Sequence, residues 1–448
     1  MRHGRFVNNE HGQILIMLAV VLPVLILFSG LAIDAGLLYV TKAKLSMAVD
    51  AACLTGMKNL SQGQATASSL ATDIFKANFG SNPPTPTITF PTDAYGDLQV
   101  KVTATATVNT IFMRYIPTYA TVNVNDTAIA TRGKLVMSLV LDRSGSMDNN
   151  HDKGGAALQS AVPNFVDDFN NTSDELAMIS FASNATVNFA MSNNFIIPIT
   201  NAVKALSFSG GTFGTGAGTN ANPSNTVGPP LSLAQQQNDT VLPQPGQNVT
   251  KVVVYFTDGL MNTIQDTFNC PASTLINYGG YDVASNDNST TPDFFDPASG
   301  TDWGTVSTSG ASKGALPYDN TPHYCKDATG KYVTTFYSQA NNKQESFLQS
   351  SVTAEAQYRA LVTATALRTE APIPTYVYVI GLGSGVTPTT QAFLAQIAND
   401  PSYPATYNPS QPAGLFLYVP SCPSPTCTAN LNTAFQTIAS KILLRLTQ

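Results

Sequence analysis

Two apolar runs each lead into an aspartate, and together they constrain the fold of this chain more than any other feature. Leu135 to Leu141 leads into Asp142, and Val252 to Phe256 leads through Thr257 into Asp258. Neither run alternates between apolar and polar residues. A strand with one wet face alternates, whereas an unbroken run suits a strand covered on both faces, as in a parallel sheet with helices above and below. The flanking patterns agree with that class. Spacing predicts further strands at 176–181, 185–191, 376–380 and 415–419. It predicts helices at 155–169, 202–206, 231–237, 352–369, 390–399 and 431–446. The expected architecture is an α/β, doubly wound head, and ligands of such sheets sit outside the carboxyl ends of the strands. Asp142 and Asp258 fall at two such ends.

The residues around these aspartates carry oxygen donors. Asp142-Arg143-Ser144-Gly145-Ser146 places a carboxylate and two hydroxyls on alternate residues. Gly210-Gly211-Thr212 supplies a third hydroxyl on a glycine-rich loop, and Thr257-Asp258-Gly259 a second carboxylate. Hard divalent cations take such all-oxygen ligands. The competing reading is structural. Asp142 and the serines would cap a helix beginning near Lys153, and Asp258 would sit in a turn.

The three motifs, in this order, resemble the metal-ion-dependent adhesion site of von Willebrand factor type A domains, and the resemblance covers residues 135–448. It implies that Ser144, Ser146 and Thr212 place hydroxyls on or near a Mg²⁺ ion (Mn²⁺ or Ca²⁺ being the other candidates). It implies that Asp142 and Asp258 act largely through metal-bound waters, and that a carboxylate of a protein partner completes the shell. Arg143 departs from the family pattern, which favours a small or apolar residue there.

The N-terminal region sets location. No charged side chain occurs from Gly12 to Ile33, and 14–33 is almost wholly apolar. A run of about 20 such residues spans a hydrocarbon core as one helix. Arg2 and Arg5 precede it, which favours a cytoplasmic N-terminus. The alternative is a cleaved signal peptide with Gly30-Leu31-Ala32 as its small-residue site, but the run is longer than a signal core, and we expect an uncleaved single-pass anchor. Helical character continues through Ala52 as a stalk. Gly12, Pro23, Ala32-Ile33-Asp34-Ala35-Gly36, Tyr39 and Ala48-Val49-Asp50-Ala51-Ala52 resemble the N-terminal segment of TadG-like proteins of bacterial tight-adherence (Flp) pilus assembly systems. That resemblance covers about the first 60 residues and implies pilus or envelope components as partners, in a bacterial inner membrane with the C-terminal body periplasmic or extracellular. The related pseudopilins carry an acidic residue shortly after their processing glycine. Here Gln13-Ile14-Leu15-Ile16-Met17 follows Gly12, so prepilin-type processing is not expected.

The chain thus divides into an anchor and stalk (1–60), a connecting region (61–134) and the head (135–448). In the connecting region, 64–78 reads as a short helix ended by Asn82-Pro83-Pro84. Residues 98–108 alternate Val100, Val102, Ala104, Ala106 and Val108 against Lys101 and threonines, a half-buried strand, and 120–130 is its neighbour. An insertion interrupts the head at about 262–345. It is rich in Asn, Asp, Ser, Thr, Gly and Tyr, and holds Trp303, the single tryptophan. Phe294, Phe295, Trp303 and Tyr318 are candidate partner contacts, or else the small core of the insertion itself. Its aspartates, Asp282, Asp287, Asp293 and Asp296, lack calcium-loop spacing.

Outside the cytoplasm disulfides are permitted. Cys422 and Cys427 are candidates for a small loop, and Cys270 and Cys325 for a large one. A zinc site is the competing use, but the spacings match no usual pattern. Cys53 is expected to be a small apolar residue on a helix face.

With 22 Lys and Arg among 448 residues, a net charge of −6 and no basic patch, nucleic acid is not an expected partner. No phosphate-binding loop or nucleophile elbow occurs, and His151, the one imidazole near the motifs, has no evident orienting partner. The expected function is therefore binding and not catalysis: a membrane-anchored, metal-dependent protein docking an acidic group in pilus assembly or surface adhesion. The alternatives are an envelope scaffold whose metal site is silent, and a metal-dependent hydrolase.

Overall fold

One helix, α1 (His11–Lys58), carries the apolar segment and continues well past it. The structure is a computed structural model that describes residues 11–60, 63–147, 154–182, 185–208, 229–261, 263–266, 279–282, 293–296, 301–305, 314–315, 322–323, 335–346, 349–420 and 426–446. Along α1 the environment changes sharply. Met17 to Phe28 are exposed apolar side chains, and Pro23 sits within the helix without ending it. From Leu45 onward one face is buried: Leu45, Ala48, Val49, Ala52, Cys53 and Met57. That is the spacing of three and four residues that lines one side of a helix. The second half of α1 thus continues the apolar helix and is also part of a core.

The partners of that face come from the next elements. Helix α2 (Gln64–Phe79) contributes Ala67, Ala71 and Phe75. It ends on Gly80 at φ 88°, a left-handed backbone open to glycine, before the Asn82-Pro83-Pro84 segment is reached. Strands β1 (Thr87–Thr89), β2 (Gln99–Asn109) and β3 (Thr121–Thr131) form an antiparallel sheet. Val100, Val102, Ala104 and Ala106 of β2 point into the same core, as their alternation predicts. Cys53 is free and buried there, its Sγ donating to the Val100 carbonyl at 3.0 Å.

The chain divides between Arg132 and Gly133 into two compact units, and the second is built on a six-stranded sheet. Its elements are β4 (Lys134–Asp142), α3 (Gly154–Val166), β5 (Glu175–Phe181), β6 (Ala185–Ser192), α4 (Ile196–Lys204), α5 (Pro230–Asp239) and β7 (Val249–Thr257). Eight short strands follow within the insertion: β8 (Ile264–Asp266), β9 (Gly279–Asp282), β10 (Asp293–Asp296), β11 (Thr301–Thr305), β12 (Gly314–Ala315), β13 (Pro322–His323), β14 (Thr335–Ser338) and β15 (Lys343–Ser346). The sheet then resumes with α6 (Gln349–Thr369), β16 (Thr375–Leu382), α7 (Pro388–Ala398), β17 (Leu415–Val419) and α8 (Cys427–Leu446).

The strand order is β17-β16-β7-β4-β5-β6. All neighbours run parallel except β6, which is antiparallel on β5 at the edge. Every residue of β7 is buried, as are all of β4 but Lys134, which accounts for the missing alternation. One face is covered by α5, α6 and α7 through Leu231, Ala234, Ala360, Leu367, Leu394 and Ile397. The other is covered by α3, α4 and α8 through Leu158, Phe165, Ile199, Phe435 and Ile438. Each fully buried aliphatic or Phe side chain contributes roughly 1.5–3 kcal/mol. Ser138, the polar residue in the β4 run, is satisfied within this core. Its hydroxyl lies 2.8 Å from Asn238 Oδ1, and Asn238 Nδ2 donates to the Val252 carbonyl.

The return of the insertion is pinned by a buried ion pair. Arg359 Nε donates to Glu355 Oε1 at 2.6 Å, one helical turn apart on α6. Glu355 also accepts the Ser338 hydroxyl and the Gln339 and Ala340 N–H groups at 2.8, 2.9 and 3.1 Å. Burial alone would raise its carboxyl, but these donors together hold it below the ordinary glutamate range. Removing one partner of a buried pair costs about 3–5 kcal/mol. We therefore predict that Glu355→Gln lowers stability to unfolding by about that amount at neutral pH. A depressed folded-state pKa stabilises fully above the unfolded value, about 4.3, and the contribution is lost as pH falls through the folded value. Urea unfolding of both proteins should show the gap between them narrowing below about pH 4.

Candidate metal centre

The ends of β4 and β7 are adjacent because the strands pair in parallel, with Leu141 opposite Phe256. The next residues, Asp142 on one and Thr257 and Asp258 on the other, therefore emerge side by side. The Asp142 carboxylate joins them. Its Oδ2 accepts the Thr257 hydroxyl at 2.8 Å and the Asp258 N–H at 3.4 Å. Its Oδ1 accepts the Ser144 N–H at 2.8 Å, a local turn that bends the chain back over the strand end. Asp142 is fully buried, and burial pushes its carboxyl above the usual range against the pull of these donors.

After Asp142 the chain makes a 3₁₀ turn, Gly145–Met147, closed by the Met147 N–H on the Ser144 carbonyl. Met147 is buried in the core, which anchors the turn. The turn brings the Ser144 and Ser146 hydroxyl oxygens to 3.0 Å of each other. Ser144 is buried and Ser146 exposed, so the two oxygens converge at the boundary between protein and solvent. Asp258 is buried at the neighbouring strand end, its N–H on Asp142. The described donors are thus two carboxylates and two hydroxyls, all oxygen and at the carboxyl ends of two central strands. That set fits a hard divalent cation. Helix α3 starts at Gly154, within a residue of the start expected from the sequence.

Thr212, with Gly210 and Gly211, lies outside the described residues, as does His151. So do Cys270, Cys325 and Cys422, while Cys427 is disulfide-bonded. The side chains of Phe294, Phe295 and Trp303, and all of Tyr318, also lie outside them. Arg143 is half-buried, its N–H on the Phe181 carbonyl at 2.8 Å. Burial lowers its guanidinium pKa against the adjacent Asp142 charge.

Three residues that the motif reading left out shape the site. Thr257 supplies the hydroxyl that Asp142 accepts, and its position directly before Asp258 was the available signal. Tyr255 is wholly buried beneath the strand end and stacks on Phe181, ring centroids 5.2 Å apart. Burial raises its hydroxyl well above the usual tyrosine range. Gly385, in the loop after β16, passes so close that an added Cβ would lie 2.5 Å from the Asp258 carbonyl oxygen. Nothing in local sequence connects Gly385 to the motifs.

Comparison with known proteins places two segments of the chain. Residues 12–62 match the Flp pilus-assembly TadE/G-like family, and residues 137–283 match the von Willebrand factor type A domain. The second match stops inside the insertion, before α6, β16, α7, β17 and α8 complete the sheet. Among solved structures, the von Willebrand domain of the type V pili tip protein of Porphyromonas gingivalis is similar at 15% identity and a TM-score of 0.40, over 71% of this chain and 98% of that one. The PilB minor pilin of Streptococcus sanguinis is similar at 14% identity and a TM-score of 0.37, over 81% and 78%. The pilus adhesin SpaC of Lactobacillus rhamnosus GG is similar at 13% identity and a TM-score of 0.36, over 82% of this chain and 36% of that one. No curated protein matches the chain.

The bond from Thr257 to a buried carboxylate gives a direct expectation. Thr257→Val keeps the shape and removes the donor, which should lower stability by about 1–3 kcal/mol. Gly385→Ala should lower it by a similar amount, about 1–3 kcal/mol, through overpacking against backbone. Urea unfolding of each variant measures both. An unchanged midpoint for Thr257→Val would mean that Asp142 does not depend on that bond.

Proposed function

We propose that this chain is a membrane-anchored binding protein of a pilus system, whose head presents a divalent cation to an acidic group on a protein partner. Mg²⁺ is the first candidate, with Mn²⁺ or Ca²⁺ as the other hard ions these donors accept. Ser144, Ser146, Thr212, Asp142 and Asp258 would hold it. The cation would supply a positive centre on an otherwise acidic strand end, and so an attachment point for a carboxylate. The observation that carries this reading is the 3.0 Å approach of the Ser144 and Ser146 hydroxyls beside a buried Asp142 that also binds the Asp258 strand end.

The pilus context follows from the TadE/G-like match at 12–62 together with the apolar first half of α1. Anchoring in the inner membrane, with a cytoplasmic N-terminus and an extracytoplasmic head, belongs to the same proposal, as does a role without catalysis. One observation favours a second reading, a structural scaffold with a silent metal site. Both Asp142 oxygens already accept protein donors, so the strand ends hold their shape by themselves.

The two readings separate in cells. Ser146→Ala changes an exposed residue, so that variant is expected to be made and anchored at a normal level, and Thr212→Ala is compared with it at a matched anchored level. Under the binding reading, each reduces surface piliation or adherence toward that of a strain lacking the chain, and a chelator does the same to wild type. Variants and chelated cells that keep wild-type behaviour, while deletion abolishes it, would establish the scaffold instead.

A further inference from the structure

The β2–β3 connection, residues 110–120, is built unlike an ordinary hairpin tip. It folds into two 3₁₀ turns, Met113–Tyr115 and Pro117–Tyr119, and lies against α1. The Phe112 ring sits on the helix at Gly30, where an added Cβ would meet it at 2.5 Å. One turn further along α1, the fully buried Asp34 carboxylate accepts three consecutive backbone N–H groups, from Ile111, Phe112 and Met113, at 2.7, 3.0 and 2.6 Å. Five further N–H groups bond within the connection: Thr110 to Ala120, Tyr115 to Phe112, Ile116 to Met113, Tyr119 to Ile116, and Ala120 to Pro117. Backbone groups bonded within the loop and to a buried carboxylate suit a water-poor region, where water is not there to satisfy them.

The side chains of the same loop are exposed and amphipathic. Ile111, Phe112, Ile116 and Tyr119 are open to the surroundings, and Tyr115 is 86% exposed. Arg114 stands among them. Aromatic rings with a polar tip, aliphatics and a long cationic side chain are the residues that favour the boundary between hydrocarbon and headgroups. Such a cluster on a free surface marks an interaction site. Its position selects the occupant. Gly30 and Asp34 bracket the end of the charge-free apolar run, whereas Lys42, ion-paired to Asp126 of the sheet at 2.9 Å, comes two turns later.

We propose that the 110–120 loop is a second membrane contact, inserted into the bilayer interface where α1 leaves it, and that Asp34 is the clamp that holds it there. The contact fixes the tilt and rotation of the β1–β3 sheet on the membrane surface, which a lone spanning helix leaves free. The proposal rests on reading the first half of α1 as membrane-spanning.

The test uses the full chain reconstituted in vesicles of phosphatidylcholine and phosphatidylglycerol, with and without bromine on the acyl chains. Trp303→Phe removes the native tryptophan, and single reporters are placed by Tyr115→Trp, Leu22→Trp and Tyr95→Trp. Tyr95 lies at the opposite end of β2, about 33 Å of extended chain from the loop. Brominated lipid should quench the reporters at positions 115 and 22 and leave the one at 95 bright. Adding Asp34→Ala should abolish quenching at 115 and preserve it at 22. Quenching at 22 without quenching at 115 would overturn the loop contact alone and leave its apolar face to a protein. Quenching at neither would remove the membrane span and this proposal with it. Quenching at 115 that survives Asp34→Ala would refute the clamp.

Discussion

The Asp142 carboxylate is the interaction on which the candidate site depends. It terminates one buried strand and accepts hydrogen bonds from the end of its neighbour, so that β4 and β7 finish as a single oxygen-lined edge. A buried carboxylate is expensive unless its lone pairs are occupied. Here Ser144, Thr257 and Asp258 occupy them, and the same bonds fix where the two hydroxyls and the second carboxylate stand. Burial still leaves Asp142 with a raised pKa. A nearby cation would relieve that, which gives electrostatics and geometry a common direction.

The sheet is what makes such a carboxylate affordable. Strands β4 and β7 are covered on both faces, and the loops at their ends inherit rigid starting points. Gly385 and Met147 show the tolerance of the arrangement, one by close passage over Asp258 and the other by burying the end of the turn that holds Ser146. A similar logic operates in the first unit. There Asp34 is buried and occupied by three N–H groups, and it joins a helix to a loop. In both units a buried aspartate, fully paired, fixes a local geometry that apolar packing alone would leave loose.

Much of this was legible in the chain. The unbroken runs at 135–141 and 252–256 gave the central strands because burial on both faces leaves no reason to alternate. The alternation at 98–108 gave β2 because one face is wet. The Asp142, Ser144, Ser146 and Asp258 motifs were legible because short spacing and strand ends fix their placement. What sequence could not show depends on contacts distant in the chain. The second half of α1 reads as a stalk until α2 and β2 are seen to cover it. Gly385 is far in sequence from Asp258, and the 110–120 loop has no periodicity that announces two 3₁₀ turns. The short strands of the insertion carry no strong strand composition, and its polar sequence conceals that Ile264 and Phe336 pack on the head.

The central claim is that the joined ends of β4 and β7 bind a divalent cation, and thermal unfolding of the full chain tests it directly. Mg²⁺ should raise the melting temperature of the wild type and leave Asp142→Ala unmoved. A ligand bound only to the folded state stabilises by about 2.7 kcal/mol at a hundredfold excess over its dissociation constant. A folded wild-type protein whose unfolding is indifferent to both Mg²⁺ and Mn²⁺ would contradict the claim.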